Sequence, residues 1–202
     1  MELRVLPLPP LGANCYLLKQ PDRPDGLVID PGGAPQAVAD ACAQLSMTPA
    51  AILLTHGHFD HVGGVNGLVA AYPDLPVYAH RGDVSEIPNQ LTWQPVPSWV
   101  ELHDNDALSL AGIQLSVLHT PGHSQGSVVF QAEDCLFTGD VLFCGSMGRT
   151  DFPGGDVGQM CASLRRLGTL KVDFKVYPGH DRSTTLDAER RSNPYLREAM
   201  GL

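Results

Sequence analysis

The segment Leu54-Thr55-His56-Gly57-His58-Phe59-Asp60-His61 places three histidines and an aspartate within six positions. It directly follows the apolar run 51–54, which predicts a buried strand. Imidazole and carboxylate groups suit zinc, iron or manganese. Residues i and i+2 at an extended strand end point to the same side, so we expect His56 and His58 to converge. Four ligand-type residues exceed what one open tetrahedral site takes from a single segment, which favours two adjacent metal ions.

Three further candidate ligands lie downstream, and each stands beside a glycine. They are His123 in Thr120-Pro121-Gly122-His123, Asp140 in Thr138-Gly139-Asp140, and His180 in Pro178-Gly179-His180. Small neighbours let the backbone and a metal ion approach each other closely. Together with the His-rich segment, these residues predict one metal centre assembled from several strand ends.

Other polar residues have less certain roles. Asp30 follows a buried-looking strand and precedes Pro31-Gly32-Gly33, so it either orients a ligand from behind or simply forms a turn. His80, His103 and His119 lie outside the glycine-flanked loops and are expected to be ordinary core or surface histidines.

The hydrophobic pattern predicts alternating strands and helices in both halves of the chain. Strands are expected at 3–6, 15–19, 26–30, 51–54, 77–80, 107–110, 114–119, 127–131, 135–138 and 174–177. Helices are expected at 35–45, 61–71, 157–167 and after 185, and an irregular surface loop at 87–99. This order predicts an α/β fold of two mixed sheets flanked by helices, and the 202 residues suffice for one domain, 1–202. The loop 87–99 is expected to cover the site or to form a subunit contact.

Composition excludes some classes of function. The formal net charge of −9 argues against binding to a nucleic-acid backbone, which needs a basic face. No run approaches the roughly 20 apolar residues of a membrane-spanning helix, and the segment 1–11 does not resemble a signal peptide, so a cytoplasmic location is expected. The five cysteines are then expected to be reduced, and Cys144 lies nearest in sequence to a candidate ligand.

The succession T-H-x-H-x-D-H, P-G-H, G-D and P-G-H resembles the pattern of the metallo-β-lactamase superfamily over nearly the whole chain. The resemblance implies a four-layer αβ/βα sandwich with the site at the edge between the sheets. It also implies two divalent metal ions, with zinc expected and iron or manganese compatible. One ion would be held by His56, His58 and His123, the other by Asp60, His61 and His180, with Asp140 bridging both.

Two segments, 148–156 and 183–196, are similar to single-domain bacterial proteins of the glyoxalase II (hydroxyacylglutathione hydrolase) type. This resemblance implies hydrolysis of a small-molecule thioester by a metal-bound hydroxide, with Asp60 as both ligand and catalytic residue. Arg149 either contacts the substrate or orders its loop by pairing with Asp151 or Asp156. Two-domain glyoxalase II has a helical C-terminal domain that the short segment after His180 does not match, so glutathione specificity is not implied.

Several alternatives remain open at this level. Gly148-Arg149-Thr150-Asp151-Phe152 also resembles persulfide dioxygenases of the superfamily, in which one iron is held at the positions of His56, His123 and Asp140. Ligand types alone do not separate that oxidation from a hydrolysis. A lactonase-like hydrolase and a non-enzymatic metal-binding domain are weaker alternatives, and the lack of a cysteine ligand argues against a true β-lactamase. The oligomeric state is not predicted.

Overall fold

Two six-stranded mixed sheets form the centre of the protein. A computed structural model describes residues 1–84, 96 and 98–202, and the statements below concern these residues. The first sheet contains, in spatial order, β1 (Glu2–Leu8), β2 (Ala13–Lys19), β3 (Asp25–Ile29), β4 (Thr48–Leu53), β5 (Val77–His80) and β6 (Trp99–Leu102). The strands from β3 to β6 run parallel to one another.

The second sheet is built from the later part of the chain. Its strands are β7 (Ala107–Leu110), β8 (Ile113–His119), β9 (Val128–Ala132), β10 (Cys135–Gly139), β13 (Lys175–Pro178) and β14 (Thr184–Thr185), in the order β14-β13-β10-β9-β8-β7. A separate hairpin pairs β11 (Leu142–Phe143) with β12 (Ser146–Met147). The helices are α1 (Pro35–Gln44), α2 (Phe59–Val62), α3 (Val65–Ala71), α4 (Val157–Gly168), α5 (Leu186–Ser192) and α6 (Pro194–Met200).

Alternating side chains along the strands create three apolar layers. On β2, Leu17 faces the cluster that contains Val38 of α1 and Leu68 of α3. The next residue, Leu18, faces the opposite way, into a cluster between the two sheets that includes Phe130 of β9. A third cluster lies between the second sheet and helices α4, α5 and α6. Because successive strand residues point to opposite faces, both sheets are covered on both sides, and the predicted αβ/βα sandwich is confirmed.

The predicted helix 61–71 is wrong, because the structure has two short helices, α2 and α3, separated by Gly63-Gly64. The Gly64 amide donates to the Pro31 carbonyl at 2.7 Å. A Cβ at Gly63 would lie 2.6 Å from the Gly32 carbonyl oxygen. The break therefore comes from close packing against the loop 31–33, a long-range contact that helical periodicity does not contain.

The predicted loop 87–99 lies largely outside the described residues, so its role stays a prediction. Its last residue, Trp99, instead begins β6 and pairs with Val77 of β5. The prolines just before Trp99 conceal this strand from a pattern-based analysis. In the part of the chain that the structure describes, no helix has the length and apolar character needed to traverse a membrane.

Candidate metal centre

The seven candidate ligands come together at one edge of the sandwich. The loop after β4 and helix α2 supply four of them from the first sheet: His56, His58, Asp60 and His61. The second sheet supplies three: His123 between β8 and β9, Asp140 after β10, and His180 after β13. The first sheet thus contributes from one segment, while the second contributes from three separate strand ends.

One group of potential ligand atoms belongs to His56, His58 and His123, which are all buried and lie within 4.8 Å of one another. His58 Nδ1 lies 2.8 Å from His123 Nε2. His56 and His58 also converge, as predicted for residues i and i+2, with their ring centroids 4.8 Å apart. Their segment is a loop and not a strand end, because β4 stops at Leu53.

A second group consists of Asp60, His61 and His180. Asp60 Oδ2 lies 3.2 Å from His180 Nε2 and 3.8 Å from His61 Nε2. Asp140 stands between the groups, with Oδ1 at 3.4 Å from His61 Nε2 and Oδ2 at 3.5 Å from His123 Nε2. Its two oxygens thus reach atoms of both groups.

Contacts from behind fix the orientation of these rings. His61 Nδ1 lies 2.9 Å from Asp30 Oδ2, and His123 Nδ1 lies 2.8 Å from the Arg149 carbonyl oxygen. Asp30, in a left-handed conformation with φ of 49°, also accepts from the Thr55 amide at 2.7 Å. Asp30 thus has a left-handed backbone and contacts a candidate ligand, and its role in orienting that ligand stays a prediction. Such contacts leave the second nitrogen of each ring directed into the site.

Three buried side-chain atoms in the described chain have no hydrogen-bond partner, and all three belong to this cluster: His56 Nε2, His61 Nε2 and Asp140 Oδ1. A buried polar atom without a partner costs about 1–3 kcal/mol. Their concentration at one point, in groups of imidazole and carboxylate, is the arrangement that metal coordination satisfies. The residues present therefore fit a pair of divalent cations.

Electrostatics favour ligand-competent protonation states in the first group. Burial lowers the pKa of His56 far below its ordinary value and that of His58 to about 4, and neighbouring histidines add to the effect. Burial alone would raise the pKa of Asp140, but His61 and the other nearby histidines outweigh it and lower the pKa to about 2. At neutral pH these two histidines are uncharged and Asp140 is ionised, as metal binding requires.

The second group has a different balance. Burial would lower the pKa of His61, but Asp140 and Asp30 raise it well above its ordinary value. The hydrogen bond with Asp60 raises the pKa of His180. A cation can bind to these nitrogens only after any proton that they carry has left, so protonation opposes metal binding at both positions.

Glycine allows the close approach that the sequence predicted. A Cβ at Gly179 would lie 2.2 Å from Asp140 Oδ1 and 2.7 Å from His61 Cε1. Gly139 has a positive φ of 47°, and a Cβ there would meet Thr55 Oγ1 at 2.4 Å. These two glycines bring the strand ends of the second sheet against the ligands of the first.

Sequence reasoning missed Asp83, which is buried in the 3₁₀ turn after β5. Its Oδ2 accepts from the Gly57 amide at 2.9 Å and from Ser124 Oγ at 2.6 Å, and its Oδ1 accepts from the Gly126 amide at 2.8 Å. One carboxylate thus joins the His56–His58 loop to the loop that carries His123. The feature of the sequence that could have identified Asp83 is its position just after β5, which is the third parallel strand of the first sheet.

A second connection between the sheets lies beside His180. Asn14 on β2 donates from Nδ2 to the carbonyls of Pro178 and Asp181 at 3.0 and 2.9 Å. Tyr16 on the same strand donates its hydroxyl to the Pro178 carbonyl at 2.5 Å. The first sheet therefore holds both sides of the His180 loop.

The remaining polar residues lie outside the ligand groups. Arg149 pairs with Asp151, while Asp156 instead caps α4 by accepting from the Gln159 amide at 2.8 Å. His80 stacks on His119 at 4.1 Å between ring centroids, and His103 is on the surface. Cys144 is partly buried and its sulfur lies 3.3 Å from Arg182 Nε.

The C-terminal segment that resembles glyoxalase II forms a buried polar cluster. Glu189 accepts from Thr184 Oγ1 at 2.7 Å, and from the Gly145 amide and Asn193 Nδ2 at 2.8 Å each. Asn193 Nδ2 also donates to the Phe143 carbonyl at 3.3 Å. These contacts fix α5 and α6 against the β11–β12 hairpin, whose Phe143 reaches the cavity beside the ligands.

That cavity, of about 490 Å³, opens directly over the two ligand groups. Besides the candidate ligands it is lined by Leu11, Phe59, Phe143, Arg149 and Phe152. A cleft of this size, with polar groups on one wall and apolar side chains on the others, is typical of a small-molecule site.

Known proteins with high similarity share this architecture. A hydroxyacylglutathione hydrolase of Haemophilus influenzae is 34% identical, and the alignment covers 97% of this chain and 98% of the relative. A probable metallo-hydrolase of Bacillus subtilis has the same identity and coverage. Both relatives are matched over nearly their whole length.

Solved structures agree in fold. BLEG-1, a B3 metallo-beta-lactamase, superposes with a TM-score of 0.85 at 35% identity, covering 96% of this chain and 99% of that one. TTHA1623, in a di-iron-bound form, superposes with a TM-score of 0.81 at 40% identity, covering 95% of this chain and 99% of that one. ETHE1 from Myxococcus xanthus superposes with a TM-score of 0.83 at 28% identity, covering 99% of this chain and 88% of that one. Residues 8–180 also match the family described as the Metallo-beta-lactamase superfamily. With its fold and its His/Asp cluster, this chain belongs to the metallo-beta-lactamase superfamily.

Proposed function

We propose that the protein is a thioester hydrolase of the hydroxyacylglutathione hydrolase type, with two divalent metal ions. His56, His58 and His123 would hold one ion, and Asp60, His61 and His180 would hold the other, with Asp140 placed to contribute to both. The convergence of three unpartnered buried ligand atoms in these groups carries the proposal. Zinc is the expected metal, and iron and manganese are compatible with the same donors.

Such ions, when bound, make a nucleophile available at neutral pH and polarise a carbonyl oxygen. Asp60 faces the cavity, and its carboxylate is suited to accept a proton from attacking water and to orient it. A thiol leaving group with a pKa of about 8.5 needs little help from a general acid. The protein therefore needs no additional acid residue for a thioester.

The thioester proposal is supported by the Haemophilus influenzae hydrolase, which matches 97% of this chain. The Bacillus subtilis relative supports the broader class of metallo-hydrolase. Glutathione as the thiol is not part of the proposal, and the substrate is a small-molecule thioester of this general type.

A second candidate is a persulfide dioxygenase with a single iron at His56, His123 and Asp140. The structural likeness to ETHE1, together with the motif Gly148–Phe152, favours it. A persulfide dioxygenase consumes molecular oxygen when it oxidises a persulfide, and a thioester hydrolase does not. Oxygen uptake therefore distinguishes the two activities.

Metal analysis combined with three substrates separates the candidates. We expect two metal ions per chain, release of free thiol from S-lactoylglutathione, and no oxygen uptake with glutathione persulfide. A β-lactam belongs in the panel because BLEG-1 is 35% identical to this chain. One bound iron with oxygen uptake and no thiol release would overturn the hydrolase proposal.

His58→Ala tests the ligand assignment. Since changing even a residue behind a ligand costs about 10–100-fold in metal affinity or activity, removing His58 itself should lower thioesterase activity at least as much. His103→Ala is the matched control, because His103 is exposed and lies outside the cluster. Near-normal thiol release by His58→Ala, with full metal content, would contradict the assignment.

A further inference from the structure

The cavity above the metal centre has apolar walls. Leu11, Phe59, Phe143 and Phe152 contribute these walls, and the side chains of Leu11 and Phe59 are 60% and 53% exposed at the rim. When a ligand covers exposed aromatic and aliphatic side chains beside a catalytic centre, apolar surface is removed from water and the complex is stabilised. The walls therefore favour a substrate that carries an apolar group.

Arg149 is the one lysine or arginine among the described residues that line this cavity. Its charge is already compensated, because Nε and Nη2 lie 2.6 and 2.7 Å from the two carboxylate oxygens of Asp151. The guanidinium also stacks on Phe152, with its carbon 3.9 Å from the ring centroid. The segment 85–97 contains no lysine or arginine that could add another positive charge.

The pair is ionised on both sides at neutral pH, since the hydrogen bond from Arg149 lowers the pKa of Asp151 to about 2. A carboxylate that approaches Arg149 must also approach Asp151, so the pair offers it no net attraction. The chain as a whole carries a formal charge of −9, so two bound divalent ions would still leave it net negative.

We propose that this pocket selects its thioester by apolar contact, so that an uncharged thiol arm is accepted as well as glutathione and an apolar acyl group is preferred. The inference rests on the proposed thioesterase function and narrows its substrate class. Arg149 acts as part of the wall: its guanidinium covers Phe152, and its carbonyl oxygen holds His123 Nδ1 at 2.8 Å.

The preference for the thiol part of the substrate is tested with two lactoyl thioesters. One is the thioester of glutathione, and the other is that of N-acetylcysteamine, a thiol that carries no charge. We expect the two kcat/KM values to agree within about threefold and to show the same weak dependence on salt, because an exposed charge pair contributes little. Asp151→Asn removes the compensating charge and should raise kcat/KM for the glutathione thioester alone by about threefold to fivefold. Added salt should abolish that gain.

The reverse result would identify Arg149 as a binding residue for a carboxylate. A wild-type preference for the glutathione thioester above about tenfold, removed by Arg149→Gln, would overturn the inference. If Arg149→Gln changes kcat/KM by the same factor for both thioesters, the inference is supported. Absence of thiol release from either compound would instead reject the proposed function itself.

The acyl arm is tested on Phe59. Phe59→Ala should lower kcat/KM for a phenylacetyl thioester by about tenfold, the typical value for lost apolar contact in a pocket. The loss for the lactoyl thioester should be clearly smaller, because its acyl group carries only one methyl group, so the ratio of the two kcat/KM values measures the effect. Val172→Ala is the matched control, since Val172 is also 53% exposed and does not line the cavity. An equal loss for both thioesters in Phe59→Ala would contradict the preference for apolar acyl groups.

Discussion

Gly179 shows how much of the metal centre depends on a residue without a side chain. A Cβ there would press on Asp140 Oδ1 at 2.2 Å and His61 Cε1 at 2.7 Å. Gly179→Ala should therefore displace ligands from both groups, and a misplacement of about 1 Å costs roughly 100-fold in rate. We expect a comparable loss of thioesterase activity and a reduced metal content, measured by elemental analysis.

Gly158→Ala in α4 is the control for this substitution. A Cβ at Gly158 meets only Asp156 Oδ1, at 3.2 Å, and reaches none of the candidate ligands. Alanine is also the better helix former. Full metal content in Gly179→Ala would show that the loop adjusts and that its close approach is not required.

The thiols provide a prediction about reactivity and pH. Burial raises the pKa of Cys42 to about 11 and that of Cys135 to about 12, and it also raises the pKa of Cys15 well above its ordinary value. Because the thiolate is the reactive form, these three should not react with a disulfide reagent in the native protein at pH 8. Labelling should reach Cys144 and Cys161 alone, and all five cysteines in denaturant.

The convergence of single residues was predictable where chemistry and local sequence coincide, and the role of these residues as ligands stays a prediction. Five of the seven candidate ligands stand beside a glycine, the other two are Asp60 and His61, and the structure brings all seven together. Asp83 was not predicted, because its hydrogen-bond partners lie far away in the sequence, at Gly57, Ser124 and Gly126. The hydrogen bonds of a buried carboxylate follow from the fold and cannot be deduced from the residues next to it.

At the scale of elements, the 3₁₀ turn with Asp83 positions two ligand loops at once. Asp83→Asn replaces one acceptor oxygen by a donor that faces amide or hydroxyl hydrogens. We expect about a 10–100-fold loss of affinity for the ion at His56, His58 and His123. The second ion should be affected much less. Competitive titration of the metal-free protein against a chelating dye measures both steps.

Asp106→Asn is the matched control, because Asp106 also accepts from a turn amide, that of His103, at 2.7 Å. It lies in the second half of the chain and outside the ligand groups. If Asp83→Asn weakened both ions equally, and in proportion to its loss of thermal stability, its role would be general packing and not positioning.

Elements were predictable to the extent that their pattern is local. The strands with continuous or alternating apolar residues were found, with ends displaced by at most three positions, the largest shift being at the start of Thr48–Leu53. The helix break at Gly63-Gly64 and the two-residue strand Thr184–Thr185 were not found. Both depend on a neighbouring segment, the first on Pro31 and the second on Lys175 and Val176.

At the scale of the whole molecule, the proposed ions join the two sheets. Metal at a thousandfold excess over its Kd stabilises a protein by about 4 kcal/mol, and each kcal/mol shifts Tm by about 2–4 °C at this size. Chelation should therefore lower Tm by roughly 10 °C. The protein should stay folded, because the three apolar clusters contain none of the ligands. An unchanged Tm after verified metal removal would contradict this bridging role.

The division of ligands between the two sheets also has a kinetic meaning. His56, His58, Asp60 and His61 are neighbours in the unfolded chain, but His123, Asp140 and His180 join them only after both sheets have docked. We therefore expect complete coordination only in the last stage of folding, after the rate-limiting barrier. Interactions that form after the transition state slow unfolding and leave the folding rate unchanged. For this protein, bound metal would slow unfolding without changing the folding rate, because the complete site exists only after the two halves of the chain have come together.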